Sequence, residues 1–228
     1  MKLVFEYTKT GNMIYISHLD VSRLFLRVLR MADLRPTYSQ GYNPHPKMSF
    51  ALPLSVGLHS ICEFLEFETE KVCNINAIEE VNLRLPEGIH VTEWTQKPDN
   101  INKSLASYVN SASYEFMCEG IADAPTLLKT FFSRDSVTIK KFDKKTGEKK
   151  TKEIRPEMLD FRIIKDMRGR MLAEAKLLAR PGQTLNPIGF FDAFCEASGH
   201  SESDLAPVIT RTGIQDSDGK PLKEMLKL

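Results

Sequence analysis

The chain has 228 residues, of which 42% are hydrophobic and 27% charged, and its formal net charge at pH 7 is +1. This composition is typical of a globular protein, with room for one large domain or for two domains of about 100 residues each. The near-zero net charge excludes a basic field over the whole molecule, so any binding of nucleic acid must depend on local clusters of basic residues.

Four cysteines stand at positions 62, 73, 118 and 195 without C-x-x-C spacing, which indicates neither a disulfide framework nor a zinc site. No apolar run reaches the ~18 residues of a membrane span. The N-terminal segment becomes acidic at Glu6 and lacks an apolar signal core. We therefore expect a cytoplasmic protein with reduced thiols.

The first half of the chain predicts six elements in the order β-α-β-β-α-β, which is the split order of a ferredoxin-like fold. Alternating apolar residues indicate the strands, and apolar residues at helical spacing indicate the helices. The second helix begins at Asn74 or Asn76, either of which can cap it. The predicted strands are Lys2–Thr8, Lys47–Ala51, Ser60–Glu68 and Ile89–Thr95, with a short extension at Met13–Ile16.

A similar order begins again after the polar segment Gln96–Asn102, which predicts a linker. We predict an α+β protein of two ferredoxin-like (βαββαβ) units with antiparallel sheets, residues 1–97 and residues 98–228. A hairpin that turns at Thr146 and Gly147 enlarges the second unit, and the tail after Asp216 is expected to be loosely attached. The elements predicted in the second unit are Ser113–Cys118, Ala124–Ser133, Val137–Phe142, Lys150–Ile154, Leu159–Lys165, Arg170–Leu178, Pro187–Ala197 and Pro207–Thr212.

The first helix is predicted to begin at Ser17, a favourable N-cap residue, with Asp20 completing a weak capping box. The charged face of this helix carries three arginines in one row, Arg23, Arg27 and Arg30. Guanidinium groups in such a row can neutralise several phosphates. Alternatively, the row is a solvated face on which Asp20 pairs with Arg23 and Asp33 pairs with Arg30.

A long polar turn follows the helix. Pro44 and Pro46 hold its backbone extended, and Gly41 permits a positive φ angle. The turn is either a ligand-binding loop that faces the arginine row or a structured crossover whose tyrosines and prolines pack on the sheet. The candidate ligand-binding residues of the turn are Tyr38, Ser39, Gln40, Gly41, Tyr42, Asn43, His45, Lys47 and Ser49, and those of the helix are Ser17, His18, Asp20 and the three arginines.

The motif SHLD, followed by R-x-x-x-R-x-x-R and then by YSQGYNPHPK-x-SFA-x-PL-x-x-G, closely resembles a bacterial family of unknown function that is linked to radical SAM proteins. Members occur as a separate chain beside, or fused to the C-terminal side of, a radical SAM protein with a cobalamin-binding-type region. The resemblance therefore implies a radical SAM partner but no established reaction. The cluster motif C-x-x-x-C-x-x-C is absent here, so this chain cannot hold that iron–sulfur cluster unaided.

Tyr38, Tyr42 and Phe50 can offer stacking faces for unpaired bases, which favours RNA as the phosphate-bearing ligand. A second basic patch surrounds the predicted hairpin. It either contacts a nucleic-acid backbone or keeps a sheet edge soluble. Its residues are Lys140, Lys141, Lys144, Lys145, Lys149 and Lys150.

Catalysis by this chain is an alternative, with His18 and His45 as the base and acid of a metal-independent endoribonuclease. The helix dipole is expected to lower the pKa of His18 and favour the neutral imidazole. Such an enzyme would resemble the CRISPR repeat-processing endoribonucleases, which also use paired ferredoxin-like units but carry a glycine-rich loop near the C terminus. Here residues 210–220 hold only Gly213 and Gly219. The spacing of His18, Asp20 and His45 matches no metal-ligand pattern, so we expect neither a metal nor a cofactor.

The sequence thus predicts a radical SAM-associated accessory protein, a binding module that presents RNA or another phosphate-bearing substrate to a radical SAM partner. Binding is assigned to the helix from Ser17 to Arg30 and to the turn Tyr38–Ser49. The alternatives are the endoribonuclease and a pure protein–protein adaptor that docks the partner with the same surface. The leading interpretation requires the guanidinium groups and the turn to converge on one exposed pocket.

Overall fold

A computed structural model describes residues 1–120, 123–142, 149–167, 170–196, 199 and 205–228. The chain divides into two compact units, one formed by Met1–Asn110 with Arg211–Leu228 and the other by Ser111–Thr210. Both units mix helices with strands, and every strand pair that we describe is antiparallel. The predicted α+β class is therefore confirmed.

The C-terminal tail belongs to the first unit, although the sequence assigned it to the second and expected it to be loosely attached. Its helix buries Leu222 and Leu226 completely. The Nζ atom of Lys223 also donates a hydrogen bond of 2.8 Å to Glu6 Oε2 in the first strand. Apolar burial and this ion pair together fix the tail, which local sequence polarity could not reveal.

The first unit contains a four-stranded antiparallel arrangement in which the strand order is β4-β1-β3, with β2 also paired to β3. A 3-10 helix at Gly11–Tyr15 occupies the segment for which a strand extension was predicted, because backbone bonds from Met13 to Thr10 and from Ile16 to Met13 tighten it. The elements of this unit are β1 (Lys2–Lys9), α1 (His18–Met31), β2 (Met48–Phe50), β3 (His59–Glu68), α2 (Ile75–Arg84), β4 (Ile89–Gln96) and α5 (Leu222–Leu226).

Helix α1 begins where the sequence predicts, because Ser17 Oγ accepts a hydrogen bond of 3.2 Å from the backbone N–H of Asp20. Its apolar stripe packs on one face of the sheet, where Leu3 and Phe5 of β1 lie in the same buried cluster as Phe25. Helix α2 contributes to that cluster as well. Because side chains alternate along a strand, the residues between these apolar positions point to the opposite face of the sheet.

The second unit centres on β9, which pairs with both β5 and β8. Its core is aromatic, with the ring centroids of Phe116 and Phe191 5.1 Å apart in a stacked pair and Phe161 edge-on to Phe190. The elements are β5 (Ser111–Glu119), α3 (Ala124–Phe132), β6 (Thr138–Phe142), β7 (Lys149–Glu153), β8 (Met158–Met167), β9 (Arg170–Arg180), β10 (Gln183–Thr184) and α4 (Pro187–Glu196). A final strand, β11 (Val208–Gln215), runs from this unit into the first.

The predicted hairpin is present as the separate antiparallel pair of β6 and β7. Its turn at Thr146 and Gly147, and the turn at Arg168 and Gly169 between β8 and β9, lie outside the described residues. Within the part of the chain that is described, no helix combines the length and the apolar character needed to cross a membrane.

Candidate functional site

A cavity of about 410 Å³ opens in the first unit beside the predicted turn. Four of the candidate residues line it: Ser39, His45, Lys47 and Ser49. Its other walls come from β3 and from the segment that follows β4, including Lys97 and Lys103. The turn therefore forms one wall of a concave site, as its density of polar groups indicates.

The floor of the cavity lies on the sheet face opposite to α1. Glu66, Phe67 and Glu68 of β3 line the cavity, and Leu65 and Phe67 belong to the cluster that packs against the helices. Strand alternation therefore places the two carboxylates on the other face. This arrangement separates the cavity floor from the arginine row on α1.

Glu66 is the centre of a buried polar network in this floor. Its Oε1 atom accepts hydrogen bonds from Ser49 Oγ at 2.8 Å and from the backbone N–H of Leu105 at 3.0 Å. Its Oε2 atom accepts from Lys97 Nζ, and only 3% of the Lys97 side chain is exposed. Lys97 also donates to the carbonyl oxygen of Lys103. A buried ion pair with this many additional bonds holds its two partners in one geometry.

The rim of the cavity is basic. Lys47 Nζ lies 3.0 Å from Glu68 Oε1, and this hydrogen bond holds the pKa of Glu68 below its usual value. Lys2 and Lys103 add two exposed side chains. Four lysines thus line the cavity against two glutamates, and the surplus of positive charge favours an anionic ligand.

The turn between α1 and β2 closes on itself. The backbone N–H of Ser39 donates to the carbonyl of His45 at 2.8 Å, and the N–H of His45 donates to Ser39 Oγ at 3.0 Å. Gly41 at the tip has a φ of +127°, a conformation that only glycine adopts without strain. Tyr42 and Asn43 beside it are exposed. The turn is therefore ordered by its own hydrogen bonds and presents Tyr42 to solvent.

The arginine row does not face the cavity. Arg23 pairs with Asp20 at 3.2 Å, as the solvated-face interpretation expects, and Arg27 is exposed. Arg30 donates to the hydroxyl of Tyr38, and its guanidinium carbon lies 5.8 Å from the centre of that ring. The predicted convergence of the row and the turn is therefore limited to this one contact, because α1 packs on the face away from the cavity floor.

The expected pair of Asp33 with Arg30 is replaced by two others. Asp33 lies 3.5 Å from Arg35 and 3.0 Å from Lys71. Asp33 has a φ of 56° at the end of α1, so the chain leaves the helix in a new direction there. A second cavity of about 480 Å³ shares Ser39 with the first and is also lined by Arg35, Lys71, Tyr38 and Gln40.

The two candidate catalytic histidines have different surroundings. The ring of His18 packs edge-on against Phe50 at 4.8 Å, and burial lowers its pKa. His45 lines the cavity, and His18 does not. Among the described residues, no group of three histidine, cysteine, aspartate or glutamate side chains could hold a metal ion. The structure therefore shows no joint site for His18 and His45.

The lowered pKa of His18 predicts a dependence of stability on pH. Folding favours the neutral imidazole, so this contribution is complete above the unfolded pKa of about 6.5 and is lost as the pH falls towards the lower folded pKa. When the pH is lowered from 7.5, we expect the urea unfolding midpoint to fall less for His18→Gln than for the parent. The exposed His90 provides the control variant His90→Gln. An equal fall of the unfolding midpoint in the parent and in His18→Gln would contradict this expectation.

A buried charged cluster, which the sequence analysis missed, lies elsewhere in the first unit. Arg211 donates to Glu63 Oε1 at 2.7 Å and to the carbonyls of Leu52 at 3.0 Å and Pro53 at 3.2 Å. Both charged side chains are 3% exposed. The buried Lys9 donates to the carbonyls of Ile14 and Ile16, and burial lowers its pKa. Arg211 lies in β11, and its hydrogen bonds to Leu52 and Pro53 hold the chain that follows β2.

The predicted second basic patch is described only in part. The side chain of Lys140 is exposed in β6. Lys141 is also in β6, Lys149 and Lys150 are in β7, and Lys144 and Lys145 lie outside the described residues. Its role in contacting a nucleic-acid backbone stays a prediction.

A family model described as "Uncharacterized protein conserved in bacteria (DUF2344)" matches residues 2–187 of the chain. No curated protein sequence matches it. A chain in the crystal structure of a Cbf5–Nop10–Gar1 complex aligns with a TM-score of 0.52 at 8% identity, covering 95% of this chain and 50% of that one. A chain of the archaeal box H/ACA sRNP Nop10–Cbf5 complex aligns at 0.48 and 9% identity, covering 96% and 49%. The chain thus spans about half the length of these solved chains, and the first likeness indicates a shared fold alone.

Proposed function

The chain belongs to the bacterial family of uncharacterized proteins whose model matches residues 2–187, and we propose that it is a radical SAM-associated accessory protein. In this role it binds RNA or another phosphate-bearing substrate and presents it to a radical SAM partner. The partner is inferred from the resemblance of the SHLD and YSQGYNPHPK motifs. The ligand class is inferred from the cavity beside the turn.

One observation carries the ligand proposal: the motif-bearing turn forms the wall of a cavity whose surplus charge is positive. Lys2, Lys47 and Lys103 are exposed around it, where ammonium groups can meet phosphate oxygens without first leaving water. Pro46 supplies apolar surface in the same cavity. A site that combines cationic and apolar groups suits a nucleotide, which joins a charged phosphate to a base with apolar faces.

The fold is compatible with this role. We propose that both units are ferredoxin-like, because the first has the strand order β4-β1-β3-β2 with two helices on one face. In the second unit the corresponding elements are β5, α3, β8, β9, α4 and the start of β11, and the β6–β7 hairpin is an insertion. RNA-recognition domains of similar topology bind single strands on the sheet. The cavity here opens on the face of the sheet opposite to α1.

Direct binding of single-stranded RNA tests the proposal. We expect fluorescence anisotropy with a labelled oligoribonucleotide to show an affinity that falls steeply between about 50 and 200 mM salt, since bound phosphates release counterions. Lys103→Glu should weaken binding by at least about tenfold. The matched control is Lys220→Glu, an exposed lysine of the same unit that does not line the cavity.

Two other outcomes separate the remaining interpretations. If Arg27→Glu abolishes binding and Lys103→Glu does not, the arginine row of α1 is the ligand surface and the cavity is not. Failure of the parent to bind RNA, together with co-purification of a radical SAM chain, would replace the proposal by the protein–protein adaptor. The endoribonuclease has no supporting geometry, because His18 packs on Phe50 and does not line the cavity of His45.

A further inference from the structure

The charge and size of the cavity point to a narrower class of ligand, and this inference rests on the function proposed above. We propose that the cavity binds one nucleotide that carries a terminal phosphate, a phosphate monoester, in preference to an internal phosphodiester of a longer strand. Three independent features of the cavity support this choice: its charge balance, the hydrogen-bonding state of Lys97, and its size and apolar wall.

The charge balance matches a dianion. Four lysines and two glutamates line the cavity, so two positive charges are in excess. The two carboxylates are already engaged, Glu66 by Lys97 and Glu68 by Lys47. A phosphate monoester carries about −1.5 to −2 charges at pH 7, because its second pKa is near 6. A phosphodiester carries a single negative charge and leaves about half of this excess unmatched.

Lys97 supplies a buried donor in the same cavity. An ammonium group has three N–H donors. Within the described residues, Lys97 uses two of them, on Glu66 Oε2 and on the carbonyl of Lys103. Its side chain is 97% buried and lines the cavity, so the third N–H is held in place before any ligand arrives. A charge-assisted hydrogen bond from a preorganised buried donor is stronger than one from a mobile surface lysine.

The size and the apolar wall favour a single nucleotide unit. The volume of about 410 Å³ lies in the lower part of the range of about 300–1,000 Å³ that holds one small ligand. Pro46 provides an apolar wall on which a base or ribose can pack. The site therefore accommodates a strand end or a free nucleotide better than the continuous backbone of a strand.

Competition binding tests the inference on the full chain. The probes are one oligoribonucleotide sequence with a 5′ phosphate, with a 3′ phosphate or with two hydroxyl ends, together with nucleoside monophosphates and inorganic phosphate. At pH 7.5 we expect at least one phosphorylated form to bind about tenfold or more tightly than the hydroxyl form. This preference should shrink below about pH 6, where the monoester loses its second charge. Comparing the oligoribonucleotides with the nucleoside monophosphates distinguishes a strand end from a free nucleotide as the source of the phosphate.

Variants assign the preference to the cavity. Lys103→Gln should reduce the preference for phosphorylated ends severalfold, whereas the exposed control Lys220→Gln should leave it unchanged. Pro46→Ala should weaken nucleotide binding more than binding of inorganic phosphate. Equal affinity for hydroxyl and phosphorylated ends would overturn this inference and leave the proposed function standing. Inorganic phosphate that binds as tightly as the nucleotides would also overturn it, and no binding by any probe would remove both proposals.

Discussion

Arg211→Met is expected to lower the free energy of unfolding by about 3–5 kcal/mol, because it leaves the buried carboxylate of Glu63 without its ion-pair partner. The same change removes the donors to the carbonyls of Leu52 and Pro53. Buried carbonyl oxygens that are left without a donor add to the loss of stability. Urea unfolding followed by tryptophan fluorescence reports the effect, since Trp94 lies in β4 of the same unit.

Two variants make the test of Arg211 specific. Arg23→Met removes an exposed arginine that pairs with Asp20 on the surface, and we expect it to change stability by less than about 1 kcal/mol. Adding Glu63→Leu to Arg211→Met should recover part of the loss, because the double variant no longer buries an unpaired charge. A loss below about 1 kcal/mol in Arg211→Met alone would show that this buried pair does not hold the unit together.

Much of the local structure was predictable because its causes lie within a few residues. Ser17 caps α1 through the N–H of a residue three positions on, and Asn74 caps α2 in the same way. The apolar stripe of α1 and the alternation of β1 also report directly which side is buried. Such signals fix helices and strands but carry no information on which distant elements meet.

Only the part of the cavity that is formed by the turn was predictable from the sequence. Ser39, His45, Lys47 and Ser49 do line a cavity, but the arginines were expected there too. They lie elsewhere because α1 covers the face of Leu65 and Phe67 while the cavity floor is formed by Glu66 and Glu68. Sequence proximity between a helix and the following turn does not determine the sheet face on which each one lies.

The missed residues had a usable signal in β3. Glu63 and Glu66 interrupt the otherwise apolar run of residues 61–67 in β3, and buried carboxylates require partners. The sequence could have flagged these two positions on that ground. Their partners were not identifiable, because Arg211 is 148 residues away and Lys97 lies in a segment predicted to be a linker. Only the tertiary fold brings each pair together.

Lys97→Met is expected to have the second large effect, because it affects both stability and binding. Removing the ammonium leaves Glu66 as a buried charge, which should lower the free energy of unfolding by about 3 kcal/mol or more. Loss of binding by this variant alone would be ambiguous, since the floor of the cavity also loses its support. The double variant Glu66→Gln with Lys97→Met resolves the ambiguity.

In the double variant the glutamine oxygen can still accept from Ser49 and Leu105, and no unpaired charge is buried. The excess of positive charge is unchanged, because one cation and one anion are removed together. We therefore expect urea unfolding to show recovery of most of the lost stability, with the salt dependence of RNA binding preserved. Affinity for a phosphate monoester should still fall about tenfold, since the buried donor of Lys97 is gone. Parent-like affinity in this stable double variant would assign Lys97 to the fold alone and would remove it from the ligand site.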